Sequence, residues 1–170
     1  MSKRELKKYL AGQTADQLSE QIINLYERFR EVKGYFDFVF NPNEQKRVGE
    51  AKAKILNEYF PQKSRRARMR RTIAQKHVKH FIQLGVDPVL ISDLMLFHIE
   101  TAQRYASSKA IRYESFYKGM FKALADAVRY SVAEGILAHN MDRIGQIAAR
   151  AQELRWPNAN DFLGLVEDLH

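Results

Sequence analysis

The sequence contains no cysteine. That excludes disulfides, thiolate catalysis, iron–sulfur clusters and cysteine-based zinc sites together, and it suits a reducing, cytoplasmic setting. A long hydrophobic run is also missing. The most apolar stretch, Val89 to Ile99, has eight hydrophobic residues in eleven and is interrupted by Asp93 and His98. A bilayer span needs roughly 20 apolar residues, so the stretch reads as a buried helix and no membrane association is expected. The first ten residues hold four Lys or Arg without an apolar segment, which matches neither a secretory signal nor an anchor. Phosphate-cradling loops of the form GxGxxG or GxxxxGK[ST] are absent, as is a GxSxG nucleophile elbow. Carboxylates such as Asp126 and Glu134 share no context that would raise either pKa. No catalytic residue and no cofactor is therefore expected, and an enzyme ranks below a binding protein.

One further absence is local. Residues 61–80 carry Lys63, Arg65, Arg66, Arg68, Arg70, Arg71, Lys76 and Lys79 and no Asp or Glu. The whole formal net charge of +8 resides there, and the remaining chain balances to zero. Basic character is thus a property of one segment rather than of the surface at large.

What is present is core-forming material. The chain has 170 residues, 45% hydrophobic and 11% aromatic, enough for one self-folding domain spanning 1–170. Apolar residues recur every three to four positions, so the expected fold is all-α: a compact multihelical bundle of seven to eight helices, with a central apolar helix near 88–106. Ser2 with Glu5 forms a capping box for a first helix, which Gly12 stops. Thr14 caps a long second helix, in which Leu18, Ile22, Leu25, Phe29, Val32, Phe36 and Val39 make one continuous seam.

Asn41 and Pro42 separate that helix from a third, which runs to about Phe60. Pro61 and the basic residues after it read as an exposed connecting segment, 61–71. A fourth helix covers Met69 to Leu84, with Gly85 as its C-terminal cap, and Asp87-Pro88 opens the fifth. The sixth is expected to run from about Phe116 to Asn140, the seventh through Ile144 to Leu154, and the last from Asn160. Gly119, Gly135 and Gly145 fall inside helices, where a close helix neighbour or a ligand against the backbone can explain them.

Three strings, Ser2-Lys3-Arg4-Glu5-Leu6, Glu58-Tyr59-Phe60-Pro61 and Leu84-Gly85-Val86-Asp87-Pro88, resemble a family of small, all-helical, uncharacterised bacterial proteins, a domain of unknown function. The resemblance covers most of the chain. It implies a small cytoplasmic protein and carries over no catalytic residue.

Three candidate sites follow. The segment Lys63 to Lys79 suits phosphate, because guanidinium groups bind phosphate oxygens bidentately and a chain of cations releases counterions from a nucleic-acid backbone. Its partner would be nucleic acid or another polyanion; the alternative is a solvated helix face. Second, a hairpin of helices four and five would bring His80 near Asp93 and His77 near Met95. That set, with Glu100, is a weak metal or acid–base candidate, against which stands His77 packed between Ile73 and Phe81 while His80 and Asp93 satisfy one another. Third, Tyr35, Phe36, Phe38 and Phe40 extend the seam of helix two beyond one face, as at a homodimer or other protein interface. The chain is thus expected to be a non-catalytic binding or scaffold protein, with an interaction module as the alternative and a metal-dependent enzyme third.

Overall fold

Local capping chemistry sets several of the helix boundaries in the structure, a computed structural model that describes residues 2–63 and 66–169. Among those residues there are nine α-helices and no strand. The chain divides into two compact units, Met1–Asn43 and Glu44–His170.

The first unit contains α1 (Lys3–Ala11), α2 (Ala15–Arg28) and α3 (Arg30–Phe40). Both capping boxes form: Ser2 with Glu5, and Thr14 with Gln17. The long seam helix is not one rod. Phe29 is extended, with φ −117° and ψ 116°, and separates α2 from α3. The reason lies in side chains across the bend. Tyr26 Oη donates to Asp37 Oδ1 at 2.9 Å, and the Tyr26 ring meets Phe36 edge to face. In a straight helix residues 11 apart would be roughly 16 Å apart along the axis, so these contacts require the break.

The second unit contains α4 (Glu44–Tyr59), α5 (Arg71–Leu84), α6 (Pro88–Ala106), α7 (Glu114–Ala133), α8 (Leu137–Glu153) and α9 (Ala159–Glu167). α6 starts as expected, with Asp87 accepting from the Val89 N–H and Pro88 in its first turn. It packs against α4, α5, α7 and α8 and buries Ile91, Leu94, Leu96, Ile99 and Ala102 almost completely. Leu124 of α7, Ile144 of α8 and Phe162 of α9 are fully buried too. At about 25 cal/mol per Å², burying such side chains supplies roughly 1.5–3 kcal/mol each.

The expected sixth helix ends earlier, and its last residues belong to α8, the expected seventh. Gly135 does not lie inside it; it takes φ +70° and ends α7. Its N–H donates to Val132 O, and the Ile136 N–H donates to Ser131 O, the pairing of a left-handed helix cap. Gly85 ends α5 in the same way, at φ +73°. The break at Phe29 adds a helix, whereas Gly135 only moves a boundary, so nine helices stand among the described residues where seven to eight were expected. No helix among the described residues is long and apolar enough to cross a membrane.

Candidate anion-binding site

Glu58, at the end of α4, organises the start of the basic run. Three successive backbone N–H groups converge on it: Arg68 and Met69 donate to its carbonyl oxygen at 2.9 and 3.0 Å, and Arg70 donates to Oε2 at 3.3 Å. The Arg70 guanidinium closes the clasp in a two-pronged pair, Nε to Oε2 at 2.9 Å and Nη2 to Oε1 at 2.7 Å. The Glu58 side chain is 9% exposed. Hydrogen bonds from Arg70 hold its carboxyl below the usual carboxylate range, outweighing the effect of burial. Met69 sits at φ +52°, a region that costs a non-glycine residue of order 1 kcal/mol; the clasp holds it there.

The connecting segment is exposed at Lys63, Arg66, Arg68 and Arg70, and the clasp pins its end to α4. Arg70 is committed to Glu58. Arg71 leaves the surface and is half-buried, its guanidinium lying on α7 over Gly119, where a Cβ would stand 2.6 Å from Nη1. Of the two explanations for a glycine here, the neighbour that needs the space is a side chain of α5. Lys63, Arg66, Arg68, Lys76 and Lys79 are exposed. Arg65 lies outside the described residues.

Arg66, Arg68, Arg70 and Arg71 line one side of a groove of about 730 Å³. Tyr113, Ser115, Phe116 and Gly119 line the other. Tyr113 is 61% exposed. Two helices begin at this groove: α5 after Arg70 and α7 after Tyr113, and neither carries a side-chain cap. First-turn N–H groups mostly lack intrahelical partners, although here those of Ile73 and Phe116 donate to Arg70 O and Tyr113 O, and the partial positive charge of a helix start favours anions. The only acid in the first turn of α7, Glu114, pairs with Lys118 at 2.8 Å.

The second expected cluster does not assemble. Asp93 faces α4 and α8 rather than α5: Lys52 Nζ lies 2.5 Å from Oδ2, and Arg143 Nη1 lies 2.7 Å from Oδ1. Arg143 also grips Glu100 through Nε and Nη2. Burial pushes the Asp93 carboxyl up, but Lys52 and Arg143 outweigh it and its pKa falls below the ordinary value. His80 is exposed. His77 is half-buried with its ring 6.1 Å from that of Phe81, and burial lowers its pKa. Among the described residues no group of three or more His, Cys, Asp or Glu could hold a metal ion.

The buried histidine is another one. His98, 3% exposed, lies with Nε2 3.0 Å from Tyr59 Oη. Burial, with a smaller effect of the Arg71 charge, lowers its pKa to about 4, so the ring is neutral at pH 7. No spacing in the sequence pairs Tyr59 with His98, which are 39 positions apart; Glu58, just before Tyr59, has a better signal as the last acid before an acid-free run.

The model of a family described as "Family of unknown function (DUF6155)" matches residues 1–170. The chain belongs to this family. Its three resembling strings have structural work to do: the first holds the capping box of α1, the second supplies Glu58 and Tyr59, and the third makes the α5–α6 turn. Comparison with curated proteins and with solved structures gives no match.

Proposed function

We propose that this family member is a non-catalytic polyanion-binding protein whose groove takes the phosphates of a single-stranded nucleic acid. One observation carries the reading: two helix starts without side-chain caps open on the same groove as Arg66, Arg68 and Arg71. Each component alone is ordinary, but together they set two helix starts and several guanidinium groups around one volume. Tyr113 favours a single strand, because an exposed ring beside cations offers a stacking platform for a base. A cysteine-free chain suits the cytoplasm, where such ligands are abundant.

Fluorescence anisotropy of a labelled oligothymidylate, titrated against salt, tests this. Three phosphates neutralised predict a slope of log K on log salt near −2, at about −0.7 per phosphate on a single strand. Arg68→Ala should flatten the slope by one such step, and Tyr113→Ala should weaken binding by about 1–3 kcal/mol without changing the slope. Absence of binding at low salt removes the proposal.

A second reading, a helical protein–protein interaction module and in its simplest form a homodimer, is favoured by a different observation. Among the described residues, ten of the thirteen large apolar side chains that are exposed lie within 2–43, including Ile22, Leu25, Phe29 and Phe40. Patches of this kind mark interaction surfaces. Sedimentation at high concentration decides: a clean monomer removes the homodimer, and a dimer dissociated by Ile22→Glu with Leu25→Glu supports it.

A further inference from the structure

Arg71 lines a second cavity besides the groove. Its volume is about 440 Å³, within the range of about 300–1,000 Å³ typical of small-molecule sites. Ala74, Val78 and Ile82 of α5 face Ala123 of α7 across it, with Met95 and His98 contributed by α6. Carbon makes up most of the open surface of this lining, and Gln75 and Gln83 border it with the charged groups. Apolar surface that stays open to water between α5 and α7, both of which pack on α6, favours an apolar occupant.

The charges say which kind. Among the described residues Arg71 has no acidic partner within ion-pair distance, although it is half-buried and held against the α7 backbone at Gly119. A partly desolvated cation without a counter-ion is costly. Beside it Tyr59 and His98 form a neutral pair, which brings no counter-charge. Lys79 adds a second positive charge to the lining. Asp126, its one acid, is engaged with Arg129 at 3.2 Å.

We propose that this cavity binds an amphipathic monocarboxylate, a medium-chain fatty acid in its simplest form, with the chain between α5 and α7 and the carboxylate on the Arg71 guanidinium. Carboxylate and guanidinium match as a two-pronged pair, and the ligand's charge offsets that of Arg71. Gly119 is a positioning residue here: the missing Cβ lets the guanidinium reach its place.

Isothermal calorimetry with decanoate, kept below its aggregation concentration, tests the proposal. Saturable binding of one decanoate per chain is expected, with decanol, of the same length and no charge, bound at least about tenfold more weakly. Arg71→Met, which keeps the apolar stem and removes the charge, should cost a similar factor. Ala123→Phe should abolish binding by filling the cavity, and Val78→Phe serves the same purpose if that variant does not fold. Lack of saturable decanoate binding, equal binding of decanol, or unchanged affinity in Arg71→Met overturns the assignment. Ala123 does not line the groove, so oligonucleotide binding by Ala123→Phe reports on the groove alone. Decanoate binding without oligonucleotide binding would leave this cavity standing and remove the groove.

Discussion

The two units of this chain follow the same helical rhythm and do opposite things with it. Glu44–His170 turns its apolar stripes inward: Leu94, Leu96, Ile99, Leu124, Ile144 and Phe162 are all fully buried. In Met1–Asn43, α1 and α2 bury no residue and α3 buries only Phe38, while Phe40 is 81% exposed. Amphipathic spacing specifies which side of a helix is apolar, and does not specify that anything covers it. A contiguous stretch of about 43 residues is also too short to enclose a core of its own.

The contrast can be broken experimentally, and the sharpest test is truncation in the buried unit. Leu124→Ala should lower unfolding free energy by about 2–5 kcal/mol, read by urea denaturation, since it removes packed atoms and leaves a cavity. A loss below about 1 kcal/mol would mean that the second unit is not the close-packed one.

Acid should act on the second unit next. The first 43 residues contain no histidine, whereas His98 has its pKa lowered from 6.5 to about 4. The unfolded chain therefore binds a proton that the folded chain refuses. Stability is unaffected by this group above pH 6.5, falls as pH drops below it, and levels off below about 4, a loss of roughly 3 kcal/mol in all. His77 adds to it in the same direction. Below about pH 4.5 the carboxylates of Glu58 and Asp93, both held low, contribute losses of their own. His98→Gln, which keeps a partner for Tyr59, should flatten most of the slope between pH 6.5 and 5.

Smaller effects distinguish the pinned basic segment from the open apolar arm. Glu58→Gln should cost about 1–2 kcal/mol, discounted because Arg70 is half in water, and should speed amide exchange at Arg68, Met69 and Arg70. Unchanged exchange there would show that the clasp is not what orders the segment. Last, Ile23→Ala, at a residue 58% exposed, should change monomer stability by no more than about 0.5 kcal/mol.

Much of the fold was legible because it depends on neighbours in sequence. Ser2 with Glu5, Thr14, Gly85 and Asp87-Pro88 each cap a helix as read, since caps involve residues two to five apart. The misses are of two kinds. Gly135 has a rival role, helix interior or left-handed cap, and only the course of the chain after Ile136 selects one. Phe29 has no local breaker at all; Tyr26, Phe36 and Asp37 across the bend decide it. The candidate site was half legible. The acid-free run marked the segment, but its arginines separate into a clasp at Arg70, a half-buried cation at Arg71 and exposed groups, according to where Glu58 and Gly119 stand. Asp93 went to Lys52 and Arg143 because α6 presents it to α4 and α8.

Chain composition and rhythm alone dictate an all-helical protein with no thiol chemistry and one concentrated block of positive charge, because those properties belong to residue types and to spacings within a single turn or two. Which apolar stripes are covered, which arginine meets an acid, and which is left beside an apolar cavity depend on residues far apart in sequence. Burial and charge pairing are set by distances in space, and helix packing creates those distances.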